Sequence, residues 1–145
     1  MKISTIMLCD AASVRDGLLH VLGGGLNILW REAYPAPMGC TLALMIEGQI
    51  GDVSPDKPLQ LAITIFADNV DGPVVVRFDG ELTAIADGSG ARNFITPVVY
   101  NLDPVPLPGP GTYHLTVQLE QLEPISIVFD SEFAIRRDSA LLSTD

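Results

Sequence analysis

The chain has 145 residues, room for one domain and its core but not for two. Eighteen acidic residues against eight basic ones leave a formal charge of −10, so phosphates are repelled and nucleic acid is not an expected partner. With 48% hydrophobic and only 18% charged residues, the body of the chain is too apolar to be intrinsically disordered.

In chain order, Lys2 precedes an uncharged run from Ile3 to Cys9 that stops at Asp10. This run is too interrupted for a secretory signal and reads as a first strand. Leu18 to Leu22 and Leu26 to Trp30 flank Gly23, Gly24 and Gly25, a pattern that predicts a hairpin or bulge. Pro35 and Pro37 break the ladder, and a new strand is expected from Cys40 to about Glu47. Leu59, Leu61, Ile63 and Ile65 alternate with Gln60, Ala62, Thr64 and Phe66, and Val74, Val76 and Phe78 alternate with Val75, Arg77 and Asp79. Asp71-Gly72 between these runs supplies the positive φ of a tight turn, so the two are expected to pair antiparallel.

The segment from Asp103 to Gly111 carries four prolines, too many to join a sheet, and is expected to cross between sheets at the rim. Tyr113, Leu115, Val117 and Leu119 then alternate with His114, Thr116, Gln118 and Glu120, which predicts a core face and a solvent face. Ile125, Ile127 and Phe129 continue the pattern, with a frame slip near Ser131 before Phe133 and Ile135 that predicts a bulge. Turn-rich stretches fall at 48–58 and 87–93. About eight or nine short strands at this spacing predict an all-β, antiparallel β-sandwich, immunoglobulin-like or jelly-roll-like, over residues 1–135. Residues 136–145 lack alternation and read as a mobile tail. No run approaches the 18 or so apolar residues of a membrane helix, so a cytoplasmic protein without a membrane partner is expected.

Reactive groups are sparse. His20 and His114 both fall in predicted strands, His20 near the core and His114 on a solvent face; two histidines and two distant cysteines give no zinc spacing. Cys9 and Cys40 read as buried, reduced thiols. Asp68, Asn69, Asp71, Asp87 and Asp103 could converge as oxygen ligands for calcium, with 68–71 as its loop, although a turn already explains Asp71 and Gly72. Gly23 to Gly25 precede a strand rather than a helix, which argues against a phosphate-binding loop. Trp30, Tyr34, Tyr100 and Tyr113 could stack on a sugar but read as core or interface aromatics. No catalytic residue, metal site or cofactor is expected.

The block Leu8-Cys9-Asp10, Val14-Arg15-Asp16-Gly17-Leu18-Leu19, Val21-Leu22-Gly23-Gly24-Gly25, Trp30 and Pro35-Ala36-Pro37 resembles an uncharacterised bacterial family of small all-β proteins. The resemblance implies an intracellular β protein with no activity attached. Within the block, Asp10 and Asp16 suit turns, Arg15 is placed to pair with one of them, and Gly17 relieves a bend. A functional reading makes Asp10, Arg15 and Asp16 one polar cluster at a rim of the sandwich.

Low charge on a small domain, with runs such as Leu42 to Ile46 and Val74 to Val76 apolar on both strand faces, points to surface covered by another chain. The expected role is therefore a non-catalytic interaction or assembly module, a homo-oligomer or a binder of another protein. The alternative is a carbohydrate- or calcium-binding module using its rim loops.

Overall fold

The computed structural model describes residues 1–49, 51–52, 56–68, 72–82, 93–120 and 122–134. Its strands in chain order are β1 (Lys2–Arg15), β2 (Leu18–Gly24), β3 (Ile28–Arg31), β4 (Ala36–Pro37), β5 (Thr41–Gln49), β6 (Leu59–Ala67), β7 (Val74–Leu82), β8 (Asn93–Asn101), β9 (Pro106–Leu107), β10 (Gly111–Leu119) and β11 (Ile125–Phe133). Nine of these are four residues or longer, and no helix occurs among the described residues.

Two sheets face each other. One has the order β2-β1-β5-β8, all antiparallel; the other has the order β3-β11-β10-β6-β7 and is antiparallel except for the β11–β3 pair. Leu8, Leu42, Leu44 and Ile46 of the first sheet and Leu61, Ile63, Ile65, Leu115, Val117 and Phe129 of the second form one buried cluster. The fold is thus a β-sandwich, and its core is made of inward residues at the period of two that strands impose.

β10 and β6 carry the expected faces, with Tyr113, Leu115, Val117 and Leu119 buried against Leu61, Ile63 and Ile65. Five expectations are corrected. β1 does not end at Asp10 but runs on to Arg15, because Asp16 and Gly17, with φ of 53° and 73°, form the two-residue turn into β2. The triple glycine is no hairpin: β2 and β3 belong to different sheets, and the glycines carry the chain between them. The proline-rich segment does cross from β8 to β10, yet its Pro106–Leu107 pairs with Ala36–Pro37 in a two-residue ladder. β11 keeps its register with β10 up to Ser131 and with β3 on to Phe133, without a bulge. Val74 sits outward, opposite Phe66, because the bulge lies instead in the β6–β7 pair at Ile65 and Phe66. β8 matches no expected strand; its inward Phe94, Val98 and Tyr100 are masked in the sequence by Pro97 and by apolar Ile95 and Val99 on the other face.

Asn69, Asp71, Asp87, Ile135 and the segment 136–145 lie outside the described residues. No helix among the described residues is long and apolar enough to cross a membrane.

Candidate functional site

The N-terminal block builds the most exposed apolar feature of the described surface. β5 pairs with β1 only over Lys2–Glu47 to Cys9–Thr41, whereas β1 and β2 stay paired from Cys9–Gly24 out to Arg15–Leu18. Beyond Cys9 the two strands therefore form a two-stranded ribbon to which, among the described residues, no third strand is hydrogen-bonded. Val14, Leu18 and Leu22 on this ribbon are 44%, 64% and 71% exposed, values that mark side chains without a partner.

A kink sets the ribbon's direction. Asp10 stands opposite Gly23, whose φ is 62°, and the Asp10 carboxylate occupies the space a Cβ on Gly23 would need. Gly23 is thus required twice, for its left-handed backbone and for its missing side chain. The bent ribbon brings β2 within 8 Å of β8. In a flat sheet the two intervening strands would hold them about 14 Å apart.

Under the ribbon lies a cleft of about 400 Å3 lined by Asp10, Ala11 and Ala12 on one side and Cys40, Val99 and Asp103 on the other. The Asn101 carboxamide accepts the Asp103 N–H at 2.9 Å and fixes the far wall. Behind Gly39, Arg31 donates to the carbonyls of Pro37, at 2.9 Å, and of Met38. Burial pushes the Cys40 thiol up to about 11, against the opposing pull of Arg31 and with the help of Cys9, Asp103 and Asp10. Cys9 is raised too, by burial and then by Asp10. Held protonated, both are poor nucleophiles. Both thiols are free and buried.

The three residues Asp10, Arg15 and Asp16 do not form one cluster. Arg15 and Asp16 sit at the ribbon tip, about 16 Å along β1 from Asp10. The ion pairs among the described residues are Met1–Asp52, Lys2–Glu47 and Arg77–Asp79, so Arg15 pairs with neither acid. Asp10 joins Asp103 at the cleft instead, a pairing visible only once β5 and β8 are placed. Asp68, with φ of 70°, lies on the other sheet, where its N–H reaches the Thr112 carbonyl at 2.8 Å; its expected partners Asn69 and Asp71 fall outside the described residues. Among the described residues no three His, Cys, Asp or Glu side chains converge as a metal would require.

His20 is exposed on β2 rather than near the core, and His114 is half-buried on the outer face of the other sheet, between Val128 and Phe66. The sandwich separates the two imidazoles. The aromatics are likewise dispersed: Tyr113 stacks on Phe129 in the core at 5.4 Å, Tyr34 meets Phe133 edge-on at 5.1 Å, and Trp30 is 48% exposed on β3.

No curated protein matches the chain. Residues 4–130 match a family model described as a family of unknown function, and the chain belongs to that family, DUF6941.

Proposed function

We propose that this protein is a non-catalytic interaction module that assembles with itself. The observation that carries the reading is the β1–β2 ribbon, a two-stranded extension that exposes Val14, Leu18 and Leu22. A ribbon of two strands is marginally stable in water, and its exposed leucines gain from being covered. β5 adds nothing to it, because Ala43 is as fully buried within the single chain as its neighbours Leu42, Leu44 and Ile46. We place this bacterial-type protein in the cytoplasm, where two buried free thiols stay reduced.

Sedimentation of the purified chain across micromolar concentrations tests the reading. An oligomer that dissociates when Leu18 and Leu22 are replaced by serine supports it, and a wild-type chain that stays monomeric throughout overturns it. A rise in melting temperature with calcium or with a glycan, from a monomeric chain, would favour the rim-loop alternative instead.

A further inference from the structure

Each sheet ends in two edge strands, and unpaired edges invite another strand unless something blocks them. Three of the four edges here are blocked. β8 carries Pro97 in its middle, β7 carries Arg77, Asp79 and Glu81 along one face, and β3 is four residues long. β2 has none of these protections. Its sequence Leu-Leu-His-Val-Leu-Gly-Gly holds no proline, no Asp or Glu and no Lys or Arg, and only Leu19 and Val21 among its seven residues are half-buried. In a chain with a formal charge of −10, two copies repel almost everywhere, and an uncharged strand is where they can approach.

The register says which backbone groups are free. A two-residue loop closes on a hydrogen-bonded pair, so Arg15 and Leu18 exchange N–H···O bonds. By alternation His20 and Leu22 bond back to β1, while Leu19 and Val21 direct their N–H and C=O groups away from it. Among the described residues no strand meets those groups.

Resting on the self-assembly reading above, we propose that β2 is the strand through which two copies join, antiparallel about a two-fold axis, so that two four-stranded sheets become one of eight strands. The partner is a second copy of this chain, because the same uncharged strand is complementary to itself under that symmetry. Exposed Leu18 and Leu22 would then lie beside their counterparts on one face of the joined sheet.

The test is Val21→Pro, read by sedimentation and by amide exchange. Proline is tolerated where an edge N–H faces solvent, so the substitution leaves the β1–β2 ladder intact while removing a donor from each side of the two-fold pair. Association should weaken about tenfold or more, and the Leu19 and Val21 amides of the wild type should become protected as concentration rises. Leu22→Lys, which leaves the backbone unchanged, should weaken association in the same way and guards against a misfolded proline variant. If the wild type assembles but both variants assemble equally well and those two amides exchange freely, strand addition is wrong while self-assembly stands. If the wild type is monomeric at every concentration, both fail.

Discussion

The Tyr34 hydroxyl lies 2.6 Å from Ser131 Oγ, and this pair ties the connection after β3 to an inward position of β11. Ser131 is fully buried and gives its own proton to the Leu29 carbonyl at 3.2 Å, so Tyr34 is the donor in their shared bond. Tyr34→Phe removes that donor and leaves a buried oxygen short of one partner, at a cost of about 1–2 kcal/mol. Ser131→Ala should cost a similar amount, because it leaves the Tyr34 hydroxyl without its acceptor and takes the side-chain donor from the Leu29 carbonyl. The double substitution should cost less than the sum, and urea denaturation of the four proteins would check it.

The same serine explains one limit of reading the sequence. An inward polar residue looks like a slipped frame when only hydropathy is followed; it keeps the frame because Tyr34, 97 residues away, satisfies it. Strands with one wet face, such as β6 and β10, were legible for the converse reason. β8 was not, since Pro97 and its two apolar faces erase the alternation. At the candidate site, Asp16-Gly17 carried its turn chemistry openly, but nothing local distinguishes it from Gly23 to Gly25. Whether a glycine run turns a hairpin or carries the chain to the other sheet depends on long-range pairing, here of β3 with β11. The cleft brings Asp10 to Asp103 and depends on the pairing of β1 with β5 and of β5 with β8.

Glycines in the N-terminal block should respond unequally to substitution. Gly17 has φ of 73° and open space around its Cβ position, so Gly17→Ala should cost only the left-handed backbone term, about 1–2 kcal/mol. Gly23→Ala meets the Asp10 carboxylate as well and should cost more. Asp10→Gly in the Gly23→Ala background should recover the excess but not the backbone term, and chemical denaturation would resolve the two contributions. An equal loss at both glycines, or no recovery, would rule out the close approach of Asp10 to Gly23.

Buried thiols make alkaline stability predictable in sign. The Cys40 thiol sits at about 11 in the folded chain against 9.0 when free, so the native state holds its proton more tightly than the unfolded state. Its contribution is therefore fully present below pH 9 and is lost as pH rises from 9 through about 11, of the order of 2 kcal/mol. Tyr100 and Tyr113 are also raised by burial and act in the same direction. Comparison with Cys40→Ala isolates the thiol: the stability gap between wild type and variant should narrow across that window. A gap constant from pH 8 to 11 would remove Cys40 as its cause.

Assembly and folding should separate cleanly by position. Leu44 is fully buried in the core, so Leu44→Ala should cost about 2–5 kcal/mol whatever the concentration. Leu22 is 71% exposed, so Leu22→Lys should change the stability of the single chain by no more than about 0.5 kcal/mol. If two chains share their ribbons, association adds to the apparent stability of the wild type by mass action, and its melting temperature must rise with protein concentration. The Leu22→Lys protein should melt at one temperature throughout, equal to that of the wild type extrapolated to high dilution. A wild-type melting temperature independent of concentration would mean that the exposed leucines are covered by no second copy of the chain under those conditions.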